Sequence, residues 1–254
     1  MNGEILTQKK VPEMNFISTK IDLETGILYV ESPRCKEKLH IELGSNSSAA
    51  VEEINVHAQR YEVMGYDNKI DTWFSNAVGR PCYLLRSSSR SCTLLNRSKN
   101  TSICRDIKTR LNFVNEAQLL LISEESVSDL NYRLNSIKEE GSVGLLREVD
   151  AMRFRPNIVI SGGGPYAEDR WSGLKIGKNH FMSLGGCNRC QMINLNYQAG
   201  EVEKSNEPLA TLAAYRRAKG KILFGILLRC EFDSEIEDEI SSWIQVGQEV
   251  YPDA

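Results

Sequence analysis

Phe181-Met-Ser-Leu-Gly-Gly-Cys-Asn-Arg-Cys-Gln191 runs from a strand-like segment into a Cys-x-x-Cys pair. Two thiols, Cys187 and Cys190, follow a glycine pair, with Arg189 between them. An arginine beside a cysteine favours the thiolate, the form that nucleophiles and metal ligands need. Gly185-Gly186 lets a bulky ligand approach the main chain. A thioredoxin-like dithiol would open a helix inside a βαβ pattern. Here His180 to Leu184 reads as a strand running into the pair, and Met192 to Asn196 as a strand leaving it. The pair therefore belongs to a β context.

Upstream lies Arg153-Phe-Arg-Pro-Asn-Ile-Val-Ile-Ser-Gly-Gly-Gly164, a β-type run ending on three glycines. Strand alternation would place Arg153, Arg155 and Asn157 on one face, suited to a phosphate. The two stretches are expected to build one pocket for an anion and a soft metal. Gly162-Gly-Gly164 lacks the spacing and following helix of a Walker loop or dinucleotide fingerprint.

The flanking sequence reads mostly as strands. Alternation and turn signals predict β structure over residues 5–43, with a turn at Glu24-Thr-Gly26, and Gly44-Ser-Asn-Ser-Ser-Ala-Ala50 as a linker. Further strands are predicted at 53–57, 61–65, 81–85, 119–123, 222–230 and 244–250, and a hairpin at 174–179. Helices are predicted from Asp71 as N-cap to Gly79, from Ser126 to about Lys138, and over 208–217. Ser87 to Arg110 reads as a long loop. Many short strands, few helices and no βαβ alternation give a mainly β, β-barrel-like fold of the α+β type.

The 254 residues suffice for one large or two small domains. A 41% hydrophobic and 26% charged composition with net charge −3 is that of an ordinary globular protein. It gives no reason to invoke nucleic acid or a membrane. No run is long and apolar enough for a transmembrane helix, and the N-terminus resembles neither a signal nor a transit peptide. Seven scattered cysteines, an odd number, argue for a reducing compartment, so a cytoplasmic location is expected.

A single Cys-x-x-Cys is weak evidence. Structural zinc wants a second pair of ligands; His180 is the nearest candidate, no second pair follows Cys190, and Cys230 stands alone. Two half-buried structural thiols are the plain alternative. His57 reads as a strand histidine, Glu168 and Asp169 as helix caps or acid–base groups, and Trp73 and Trp171 as packing.

Arg153-Phe-Arg-Pro-Asn-Ile-Val-Ile-Ser-Gly162, Tyr166-Ala-Glu-Asp-Arg-Trp171, Gly186-Cys-Asn-Arg-Cys190, Glu207-Pro-Leu-Ala-Thr-Leu-Ala-Ala-Tyr-Arg216 and Gly220-Lys-Ile-Leu-Phe-Gly225 occur in that order. As an ordered set they resemble the MOSC domain family. Within it they look most like the C-terminal part of eukaryotic molybdenum cofactor sulfurases, and less closely like the mitochondrial amidoxime-reducing component. The resemblance implies a MOSC β-barrel over residues 51–254, preceded over 1–50 by part of a small β domain. It implies a pocket for the molybdenum cofactor (Mo-molybdopterin), with Cys190 as metal ligand and catalytic thiol. Arg153, Arg155 and Asn157 would hold phosphate and pterin, and Asn115, Glu116 and Ala117 would form another contacting loop. Arg189 and Cys187 would complete the site.

The implied activity is that of a sulfurtransferase: the cofactor is held while a terminal sulfido ligand is installed for xanthine dehydrogenase and aldehyde oxidase type apoenzymes. Sulfur would come from a cysteine desulfurase domain using pyridoxal phosphate, normally in the same polypeptide. Relatives also begin with a strand bearing Lys-Ser-Cys and a later Asp-Arg-x-Trp element. This chain is therefore expected to be a C-terminal fragment. Rival readings are a molybdenum oxidoreductase reducing N-hydroxylated compounds, and a non-catalytic zinc or interaction module.

Overall fold

The computed structural model describes residues 5–44, 51–56, 59–87, 93–95, 109–111, 116–138, 148–196, 203–231 and 243–253. The expected linker after Gly44, the strand histidine His57 and the site candidate Asn115 lie outside these residues. The chain divides into two compact units, residues 1–93 with 197–203, and residues 94–196 with 204–254.

In the first unit, strands β1 (Ser18–Asp22), β2 (Ile27–Glu31) and β3 (Leu39–Glu42) form an antiparallel sheet. The Asp22 carboxylate accepts from the Glu24 and Thr25 amides, and Gly26 at φ 66° completes the predicted turn. Pro12–Phe16, expected as β, is instead a short 3-10 helix with its proline in the first turn. A second antiparallel sheet holds β4 (Val51–Val56), β5 (Gln59–Gly65) and β6 (Leu85–Ser87). Residues 81–84, predicted as buried strand, are irregular and partly exposed.

Helix α1 (Asn68–Val78) starts earlier than expected, because Asp67 and not Asp71 is the N-cap, accepting from the Ile70 amide. Asp71 lies one turn in, buried, accepting from the Leu84 amide. Gly79 is the left-handed C-cap. Val30, Leu39 and Ile41 form the core with Trp73 and Phe74 of α1 packed against them.

The second unit is built on a curled sheet. Its strands are β7 (Leu119–Ser123), β8 (Ile158–Ile160), β9 (Gly173–Ile176), β10 (Asn179–Asn188), β11 (Arg217–Ala218), β12 (Lys221–Glu231) and β13 (Val250–Asp253). The order is β8-β7-β12-β10-β9-β13, with β11 paired to the start of β12. Lys219 and Gly220, both at positive φ, make the tight β11–β12 turn. Helices α2 (Glu124–Lys138) and α3 (Leu209–Tyr215) complete the unit.

β7 and β8 are parallel and joined through α2, so one βαβ unit is present where none was predicted. Residues 191–194 form a 3-10 helix where a strand was predicted. Residues 244–249, predicted as strand, are not strand, and pairing begins only at Val250.

β7 is apolar from Leu119 to Ile122 because both faces are covered. Ile122 joins Val127, Leu130, Leu134, Phe154, Leu212 and Phe224 on the helix side. Leu121 joins Leu174, Phe181, Ile226 and Leu228 on the other. Phe224 and Ile226, two apart on β12, fall into different clusters because a bulge lies between them. Gly186 opposes Ile226 while Asn188 opposes Leu223, so β12 has one extra residue there. Gly225 sits in it at φ 72°, and a Cβ would lie 2.6 Å from the Leu121 carbonyl oxygen.

The start of α2 carries a buried polar network. The Ser123 hydroxyl accepts from the Ser126 amide, so capping begins ahead of the predicted Ser126. The Ser126 hydroxyl accepts from the Tyr166 amide and donates to Glu168 Oε1 at 2.8 Å. Glu168 is 1% exposed, and burial raises its carboxyl above the ordinary value of 4.5. The folded state then binds an extra proton above that value, so wild-type stability falls as pH rises through the interval between unfolded and folded values. Glu168→Gln removes this slope. Urea unfolding from about pH 4 to about pH 8 should show wild type losing stability relative to the variant as pH rises. A constant difference across that range would contradict the assignment.

Candidate functional site

Arg189 leaves β10 just after Asn188, and its own amide donates to the Ile222 carbonyl of β12. Its side chain turns inward and is 8% exposed. Nε donates to the Phe224 carbonyl at 2.8 Å, the group that the β12 bulge frees from the sheet. Nη1 donates to the Phe154 carbonyl at 3.2 Å, and the guanidinium lies over the Phe154 ring. Among the described residues Nη2 is buried without a hydrogen-bond partner. Burial lowers the Arg189 pKa from its ordinary value, opposed by the nearby Cys187, Cys190 and Glu116.

The Arg153 stretch is not the predicted strand. Ala151–Phe154 is a 3-10 helix capped by Asp150, whose carboxylate accepts from the Arg153 amide. Arg155 follows at φ 58°, ψ 52°, in the left-handed region. Strand alternation therefore does not order these side chains. Arg153 is half-buried and donates from Nη1 to the Leu195 carbonyl at 2.7 Å. Arg155 is exposed, and its guanidinium makes no hydrogen bond or ion pair among the described residues. Asn157 is bracketed to β7: its amide donates to the Leu120 carbonyl, and its Oδ1 accepts from the Leu120 amide at 2.8 Å.

The two stretches are thus clasped from both sides. Arg189 of the cysteine stretch holds Phe154 of the arginine stretch, and Arg153 holds Leu195 just beyond the cysteines. Ala117 is buried with Leu184 and Leu227, and Cys187 packs against that cluster. Glu116 is exposed beside them in sequence.

Cys187 and Cys190 have different surroundings. Cys187 is half-buried, whereas Cys190 is exposed on extended backbone at φ −130°, ψ 178°. Side-chain exposure alternates from Cys187 through Asn188 and Arg189 to Cys190, as on opposite faces of a strand. Among the described residues, no group of three or more His, Cys, Asp or Glu is arranged to hold a metal ion. What these segments expose is one thiol, that of Cys190, and one guanidinium, that of Arg155.

Sequence reasoning missed the Phe224 carbonyl as the anchor of Arg189. The signal was Gly225, a lone glycine in an apolar strand, which marks a bulge. Native-state alkylation with limiting iodoacetamide, mapped by mass spectrometry, should modify Cys190 well before Cys187. Equal rates at the two positions would contradict the burial difference.

The family model described as MOSC domain matches residues 108–251, and that described as MOSC N-terminal beta barrel domain matches residues 1–81. The molybdenum cofactor sulfurase of Solanum lycopersicum is 60% identical over 252 residues, covering 98% of this chain and 31% of that protein. The molybdenum cofactor sulfurase of Arabidopsis thaliana is 57% identical over 255 residues, covering 100% of this chain and 30% of its own length. That of Homo sapiens is 31% identical over 253 residues, covering 99% of this chain and 28% of its own length. The chain spans about a third of the length of these curated relatives. No helix among the described residues is long and apolar enough to cross a membrane. With the matched MOSC model covering most of the second unit and more than half of the sequence, the chain belongs to the MOSC domain family.

Proposed function

We propose that this chain is the cofactor-holding part of a molybdenum cofactor sulfurase. Its substrate is the molybdenum cofactor, bound while one terminal oxo ligand is exchanged for a sulfido ligand. The observation that carries this reading is that two exposed groups stand on segments joined by one hydrogen-bonded framework. Cys190 offers an exposed thiol and Arg155 an exposed guanidinium, and Arg189 and Arg153 hold their segments together. Thiolate suits a molybdenum–sulfur centre, and a guanidinium suits the phosphate of the pterin tail. The identity of 57–60% to plant molybdenum cofactor sulfurases supports the same substrate.

The residues divide their work. Cys190 is the metal ligand or the acceptor of persulfide sulfur. Arg155 receives the phosphate. Arg153, Arg189 and Asn157 use hydrogen-bonding groups on backbone partners, so they serve the site through its framework. Glu116, Ala117 and Cys187 flank it, and Asn115 belongs to the same loop in sequence. Residues 1–50 belong to the small β domain that precedes this fold.

Sulfur arrives as a persulfide from a pyridoxal-phosphate cysteine desulfurase, which in this reading is another part of the longer polypeptide. The oxo oxygen leaves as water, and a thiol reductant supplies the two electrons that take persulfide sulfur to sulfide. The products are destined for xanthine dehydrogenase and aldehyde oxidase type apoenzymes, in the cytoplasm. In a reconstituted assay with desulfurase, cysteine, thiol reductant and cofactor, Cys190→Ala should lose at least about 100-fold of the sulfuration rate, as removal of a reacting group does. Full sulfuration by the variant would overturn the role given to Cys190.

A further inference from the structure

Arg155 is one of three non-glycine residues at positive φ among the described residues, with Tyr166 and Lys219. It is not glycine, yet it holds φ 58°, ψ 52°. It also precedes Pro156, and a residue before proline is pushed toward extended backbone. Such a conformation persists only where its surroundings over-determine it, and it collects at ligand clamps. The surroundings are on both sides. Before Arg155, the Phe154 carbonyl is taken by Arg189 Nη1. After it, Asn157 is fixed to Leu120 through both its amide and its side chain.

Arg189 is well placed to impose this. Its guanidinium is more than nine-tenths buried and reaches two carbonyls from two segments, Phe224 in the β12 bulge and Phe154 next to Arg155. Its sequence neighbour Cys190 is exposed. One side chain therefore ties the turn that carries the open guanidinium to β12 and, through its own backbone, to the segment beyond β10 that carries the open thiol. A planar fork can bind two acceptors at fixed geometry, which a lysine ammonium on a flexible stem cannot.

We propose that Arg189 is a positioning residue that enforces the left-handed turn at Arg155, so that guanidinium and thiol are presented to an anionic ligand as one preformed unit. Arg189 does not touch the ligand. Its effect on binding passes through Arg155. The ligand-facing half of this inference rests on the cofactor-binding reading above, while the conformational half does not.

Two cycles test it. In thermal unfolding, Arg155→Gly relieves the left-handed strain and should raise Tm by about 2 °C or more in the wild-type background. In an Arg189→Gln background the turn is released, and the gain should vanish. An equal gain in both backgrounds would overturn the inference without reference to any ligand. Arg189→Lys keeps the charge but not the fork and should behave like Arg189→Gln; it also serves if the glutamine variant does not fold. In binding of molybdenum cofactor released from a carrier protein, Arg155→Ala and Arg189→Gln should each weaken affinity about 10-fold or more. The double variant should be no weaker than Arg155→Ala alone. Additive losses would overturn the coupling. Failure of the wild-type chain to bind cofactor would instead count against the function proposed above, and the thermal cycle would still decide the conformational claim.

Discussion

Arg189 is a cation placed where sheet, turn and cysteine stretch meet. A buried guanidinium is expensive unless its donors are met, and here two of them meet backbone carbonyls, not carboxylates. The Phe224 acceptor exists only because β12 bulges at Gly225 and withdraws that carbonyl from the ladder. The bulge in turn requires a residue that tolerates φ 72° with the Leu121 carbonyl against its α-carbon. The dependence runs from Gly225 to the Phe224 carbonyl, to Arg189, to Phe154, and so to Arg155. A change anywhere along it reaches the site without touching an exposed residue.

This chain of dependence separates two kinds of arginine that look alike in the sequence. Arg153 and Arg189 spend donors on main-chain oxygens and act as parts of the framework. Arg155 is exposed on a strained turn, and strain held in place by surrounding contacts is what a preorganised contact needs. The cysteines divide likewise. Cys187 packs against Ala117, Leu184 and Leu227, while Cys190 stands open. The functional reading therefore narrows to Cys190 and Arg155 as the groups that meet a ligand, with the remaining candidates behind them.

Much of the fold was legible in the sequence because it is written in local chemistry. Glu24-Thr-Gly26 and the 174–179 hairpin place turns, and the apolar runs at 119–122 and 222–228 are central strands. Gly79 ends α1 as its left-handed preference predicts. What was not legible depends on partners far along the chain. Arg153 to Asn157 alternates like a strand, but Asp150 caps a 3-10 turn there and Arg189 claims Phe154. Asp71 matches an N-cap pattern as well as Asp67 does, and only the Leu84 amide shows why it is buried instead. The Ile244 to Glu249 run has strand composition but no strand to pair with until Val250 meets Ile176. Which cysteine is exposed was likewise invisible, because it follows from alternation beyond the end of β10.

The measurement that tests the account most directly is the molybdenum and pterin content of the purified chain from cells that make the cofactor, with Cys190→Ala and Arg155→Ala beside it. The account predicts molybdenum and pterin at about one equivalent in the wild type, molybdenum reduced in the Cys190 variant, and both reduced in the Arg155 variant. A folded wild-type chain carrying neither, or variants that retain both in full, would contradict it.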